Sequence, residues 1–172
     1  MIKSVLFLKD LILILKNLFI KKNPIPTFIY AGGFIPGYRD PQPFLEYLTK
    51  IDKDFKFIIY TKSTGLIKPY LKKLGNKIEI REYIPREELM LELSKADFLI
   101  NIDNAESVQY PSKLIDYKIA DRPILNIKKG KVDKNLVDEF LDFNFKNQLN
   151  IDDLDRFNIK NVAKQFVNLI KK

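Results

Sequence analysis

Residues 55–84 read "FKFIIYTKSTGLIKPYLKKLGNKIEIREYI". FKFIIYT is an apolar, β-rich run with the length of a buried strand. GLIKPYLKKLG follows as a helix that stops at Gly75, a glycine C-cap, and Pro69 must then sit near its first turn. KIEIREYI is again a strand. A strand, a helix and a second strand at short connections make a β-α-β unit, whose two strands lie parallel in one sheet.

The alternation continues in both directions. Upstream, TFIYAG is a strand ended by Gly32-Gly33, and DPQPFLEYLTKI is a helix with proline at its entrance. Downstream come helix PREELMLELSKA, strand DFLINID, helix SKLIDYKIA and strand RPILNI. DKNLVDEFLDF and NIKNVAKQFVNLIKK close the chain as helices. Right-handed crossovers put helices on both faces of such a sheet. The expected fold is α/β, a Rossmann-like doubly wound parallel sheet over residues 24–172. No internal repeat, low-complexity tract or second domain boundary interrupts it.

Residues 1–23 stand apart, before the proline-punctuated NPIP. Val5, Leu8, Leu11, Ile12, Leu15, Leu18 and Phe19 share one face of a helical wheel. Such an extra amphipathic helix suits packing on the domain first, with docking on a partner or an anionic membrane surface as the alternative. Lys3, Lys9, Asp10 and Lys16 interrupt it. A spanning helix needs about 20 mostly apolar residues, and a signal peptide ends in a small-residue cleavage site. Neither pattern is met, so the expected location is the cytoplasm, with the flanking lysines suited to the inner face of the membrane.

The chain has 172 residues and a formal net charge of +8. That surplus favours an anionic partner without choosing among nucleic acid, phosphorylated metabolite and membrane. Cysteine and histidine are both absent. Disulfides, thiolate or imidazole metal sites and a histidine base are thereby excluded. Any chemistry must use carboxylates, lysine, arginine, hydroxyls or backbone amides.

Ligands of doubly wound sheets bind outside the carboxyl ends of the strands. The loops expected there hold the candidate residues. Gly32 and Gly33 allow close backbone approach, and Arg39 can close over a phosphate. Lys62 ends the second strand as another phosphate candidate. Ser112 is a candidate N-cap, and Lys113 is a cation at the helix end that favours anions. Such a misfit is explained if an anion binds there. Asp116 is expected in the first turn, where the helix dipole favours an acid anyway.

The ordered set FIYAGG…R, IREYIPREEL, ADFLINID and PSKLIDYKIADRPIL resembles the C-terminal, donor-binding domain of GT-B glycosyltransferases, notably the retaining family-four type. The resemblance runs from Pro26 to the C-terminus. It implies that Gly32 and Gly33 line a diphosphate and sugar, with Arg39 as a basic clamp. Tyr83 and Ile84 would flank the base, and Ser112 and Lys113 would sit at the diphosphate. Asp116 stands where the family has a glutamate that binds the ribose hydroxyls. The family's other glutamate, eight residues earlier, is Val108 here. Glu106 and Gln109 are close by but out of register, so Glu106 is a candidate contact to the donor sugar only.

The resemblance further implies metal-independent hexosyl transfer from a nucleotide-sugar substrate, without a cofactor, to a glycan or lipid-linked acceptor, as in polysaccharide biosynthesis. Arg39 and Lys113 would stabilise the leaving group, and no catalytic residue is assigned. The family's acceptor-binding domain has no counterpart here. The expectation is a fragment, or one subunit of a split enzyme that needs an acceptor-binding partner. A non-catalytic nucleotide-binding remnant is the alternative. A nucleic-acid-binding module is a distant one, lacking an RNP-like aromatic strand or a helix-turn-helix pattern.

Overall fold

The computed structural model describes residues 22–103 and 112–151. The expected N-terminal helix, Glu106 and the last helix lie outside the described residues. The order of elements is β1 (Thr27–Ala31), α1 (Gln42–Leu48), β2 (Lys56–Tyr60), α2 (Lys68–Leu74), β3 (Ile78–Arg81), α3 (Arg86–Lys95), β4 (Phe98–Ile102), α4 (Ser112–Ala120), β5 (Ile124–Ile127) and α5 (Lys134–Leu141). The five strands form one sheet in the order β3-β2-β1-β4-β5, and every pairing is parallel. This is a Rossmann-like α/β fold.

Local chemistry sets the boundaries. Proline occupies the first turn of both α1 and α2, where its missing N–H costs nothing. Asp40 Oδ1 accepts from the Gln42 amide at 2.9 Å, at the entrance to α1. Gly75, at φ +53°, ends α2 in a conformation that side chains resist. Asp133 caps α5 by accepting from the Leu136 amide at 3.1 Å. β3 is shorter than its apolar run. It stops at Arg81, and Glu82–Ile84 leaves the sheet edge to reach Pro85 and α3.

β1, β2, β4 and β5 bury both faces, as a parallel sheet requires, whereas edge strand β3 buries only Ile78. Phe28 and Tyr30, Phe57 and Ile59, and Phe98, Ile100 and Ile102 face α1, α2 and α5, against Phe44, Leu45, Leu74, Val137 and Phe140. Ile29 and Ala31, Ile58 and Tyr60, and Leu99 face α3 and α4, against Met90, Leu93, Leu114 and Tyr117. Phe28 stacks on Phe57 and on Phe98, at 4.7 Å in each case, with Phe55 at 5.6 Å. This plate of rings lies at the amino ends of the strands. Asp97 ties that end together, accepting from the Thr27 amide at 2.8 Å and from Asn23 Nδ2 at 3.1 Å.

A candidate anion-binding crevice at the carboxyl ends of the strands

The strand order reverses between β1 and β4. The chain leaves β1 toward α1 on one face and reaches α4 from β4 on the other. The diverging connections open a crevice at the carboxyl ends of these strands, which is where open α/β sheets take ligands.

The turn after β1 forms one wall. The Gly32 amide still pairs with the Tyr60 carbonyl at 3.0 Å, and the chain then swings away with Gly32 at φ +144°. A Cβ there would also come within 3.3 Å of the Tyr30 hydroxyl. That hydroxyl donates to the Gly33 carbonyl at 2.9 Å. Desolvation pushes its pKa to about 12, against an opposing pull from Arg39, so it remains a donor. Farther along, Ile35 and Arg39 bridge across the small Gly37 turn, which returns Arg39 toward the crevice.

α4 forms the opposite wall. Its buried Tyr117 phenol accepts from the Ala31 amide at 3.0 Å, bolting the helix to the last residue of β1. One turn earlier, Lys113 reaches over the Tyr30 ring with its Nζ 4.6 Å from the centroid. Lys113 is half-buried as a residue, but its Nζ is sealed from solvent and has no hydrogen-bond partner. The Nε of Arg39 is buried and unpartnered in the same way. Desolvation, reinforced by Arg39 and opposed by Asp103, brings the Lys113 pKa down to about 7.

α3 completes the enclosure. Arg86, its first residue, donates to Asp116 Oδ1 through Nε at 3.1 Å and Nη2 at 2.5 Å. Tyr83 and Ile84 precede it. The resulting cavity of about 290 Å³ includes Gly32, Tyr83, Ile84, Arg86, Lys113 and Asp116 in its lining. The structure thus brings together five residues singled out from sequence: Gly32, Tyr83, Ile84, Lys113 and Asp116. Gly33 adjoins this wall, facing Ser63 of the β2–α2 loop.

Other sequence expectations fall differently. Lys62 faces a neighbouring cavity of about 630 Å³ with Thr61, Thr64, Arg81 and Glu82. The exposed Tyr83 ring divides the two, with Lys62 Nζ 5.5 Å from its centroid. The larger cavity lies over β2 and β3, away from the strand reversal. The smaller one is the cavity at the strand reversal, with Gly32 and Lys113 in its lining. Ser112 begins α4. That start corrects the expectation for Asp116. It is the helix's fifth residue, beyond the first turn, where no acid is found. The dipole of free amide groups does not account for it.

Tyr30, Tyr117 and Arg86 were not singled out from sequence. The two tyrosines read as core residues in their strand and helix patterns. Arg86 stands at the entrance of a helix, in a loop expected at the carboxyl ends of the strands, with no role assigned to it. Only the packing of α3 against α4 shows that it meets Asp116. Among the described residues, no group of three or more carboxylates is arranged to hold a metal ion, and no helix is long and apolar enough to cross a membrane.

No protein-family model matches the chain. No curated protein matches it either. Among solved structures, it is similar to one described as the structural basis for EarP-mediated arginine glycosylation of translation elongation factor EF-P. That likeness has 13% identity and a TM-score of 0.46, over 73% of this chain and 45% of that one. The chain thus spans less than half of that protein's length. At this level the likeness decides neither activity nor substrate.

Proposed function

We propose that the chain is the donor-binding wall of a glycosyltransferase and holds a nucleoside diphosphate sugar in the β1/β4 crevice. The observation that carries this reading is the pair of sealed cationic nitrogens, Lys113 Nζ and Arg39 Nε, with no hydrogen-bond partner. Burial disfavours the charged form of Lys113, whose pKa is lowered to about 7, and an anion held beside it favours the ammonium. The Gly32 turn and the exposed Tyr83 ring beside them fit a diphosphate and a base. The sequence resemblance supplies the order in which these groups recur.

The chemical demand in such a transfer is the charge that develops on the departing nucleoside diphosphate. Lys113, in the cavity lining, would meet that charge with Arg39 acting from beside it, and a preorganised low-dielectric site stabilises such charge most. Amides of the Gly32 turn add donors. The resemblance implies front-face transfer with retention. The acceptor and any base for it come from a second wall. Near-attack geometry needs both reactants held, and one side of a cleft holds only one.

Titration calorimetry with UDP, GDP, ADP and the sugar conjugates of each tests the proposal. Binding of UDP or GDP more tightly than ADP is expected. The isolated chain should transfer no sugar, and transfer should appear when a cognate acceptor domain is added. No heat for any ligand at millimolar concentration would remove the proposal, and robust transfer by a verified monomer would remove the two-wall argument.

A further inference from the structure

Asp116 is a short carboxylate at a position for which the sequence resemblance implies a ribose contact, and it does not stand alone. Two donors of Arg86 converge on the same oxygen, Oδ1. Among the described residues no donor reaches Oδ2. The Asp116 side chain is 23% exposed and that of Arg86 52% exposed, and both line the crevice cavity. The pair therefore sits at the boundary between cavity and solvent, with the arginine outermost. Its fork is anchored on one side, and planar guanidinium groups donate in fixed directions. The attachment strengthens the arginine's hold on its own proton, chiefly through the hydrogen bond to Asp116.

A vicinal diol presents two hydroxyl groups, each able to donate and accept. A lone carboxylate takes both by using both of its oxygens. Here one oxygen is already committed to Arg86. We infer that Arg86 and Asp116 act as one ribose-reading unit, with Oδ2 accepting from one hydroxyl and the guanidinium donating to the oxygen of the other. Arg86 is then a specificity-determining residue of the nucleotide site. It also offsets the negative charge that Asp116 brings to a pocket meant for a diphosphate. The inference rests on the donor-binding reading of the crevice.

The test measures calorimetric affinity for UDP and GDP and for their 2′,3′-dideoxy analogues. The proteins are the full chain, Arg86→Gln, Arg86→Lys, Asp116→Asn and the Arg86→Gln/Asp116→Asn double variant. Arg86→Gln is expected to weaken the ribonucleotides at least about tenfold and the dideoxy forms less than about threefold, the scale of one charge-assisted hydrogen bond. Arg86→Lys keeps the charge without the fork and should fall between. The double variant should lose little beyond Asp116→Asn, because the two act together. Melting temperatures confirm that each variant is folded. Equal weakening of ribo and dideoxy ligands, or no change, overturns the role of Arg86 while leaving nucleotide binding intact. Failure of the unaltered chain to bind any of the four ligands overturns both readings.

Discussion

Binding of a diphosphate at the crevice should draw a proton onto Lys113. In the free chain its pKa lies at about 7. At pH 8 only about one-tenth of the molecules then carry the charge. A phosphate within hydrogen-bonding reach of Nζ favours the ammonium and returns the pKa toward its ordinary value. Arg39 cannot share the change, since a guanidinium stays protonated. Of the other groups around Nζ, Tyr30 titrates far above this range. Uptake should therefore be about 0.9 proton per ligand at pH 8, about 0.5 at pH 7 and about 0.1 at pH 6. A terminal phosphate titrates near pH 6, so pH 8 isolates the lysine. The assay is titration of UDP or GDP in Tris and in Hepes at equal pH and ionic strength. The slope of observed heat against buffer ionisation enthalpy counts the protons. Affinity should fall toward about tenfold per pH unit above pH 8. Lys113→Met should abolish the slope. A zero slope for the unaltered chain at pH 8 refutes the reasoning, because the amine would then hold the same charge state with and without the ligand.

Folding stability carries the same signature. The unfolded chain keeps the Lys113 proton up to about pH 10.5, whereas the folded chain releases it from about pH 7. The unfolded state binds more protons in that window, so stability rises with pH there relative to Lys113→Met, as chemical denaturation across pH 7 to 10 would record. Gly32→Ala should cost about 1–3 kcal/mol through its positive φ and weaken nucleotide binding, by denaturation and calorimetry respectively. Tyr117→Phe leaves the buried Ala31 amide unpaired and should cost about 1–3 kcal/mol, with a measurable shift in melting temperature. Phe28→Ala removes the ring on which Phe57 and Phe98 stack. A loss of about 3–5 kcal/mol in urea denaturation is expected.

The fold was legible because its signals are local. Prolines and Gly75 punctuate the helices, and runs such as FKFIIY and FLINI can only be strands buried on both faces. The two walls of the crevice were legible at Gly32, Tyr83, Ile84 and Lys113, since a doubly wound fold sends those loops to one rim. Asp116 was placed one residue too close to the helix start, because Ser112 reads as a cap and is instead the first residue of α4. Lys62 was grouped with the crevice because every strand end looks equivalent in sequence. Only the lateral order of strands separates β2 from the β1/β4 reversal. Arg86 stood in a strand-end loop flagged by the fold, but its role was not legible. Its partner lies 30 residues away, and their meeting is decided by how two helices cross.

The plate of rings around Phe28 has a kinetic consequence. Phe28, Phe57 and Phe98 stand at or next to the first residues of their strands, at the opposite end of the sheet from the cavity. Amide protons at that end should exchange with solvent only when the whole molecule opens, and those nearer the crevice by smaller excursions. The sheet would then behave like a comb held at its spine, with a set base and teeth that yield. A nucleotide closing on the free ends would slow exchange at Gly32 and in α4 while leaving Phe28 and Phe57 unchanged. The protein would register its ligand as a levelling of that gradient.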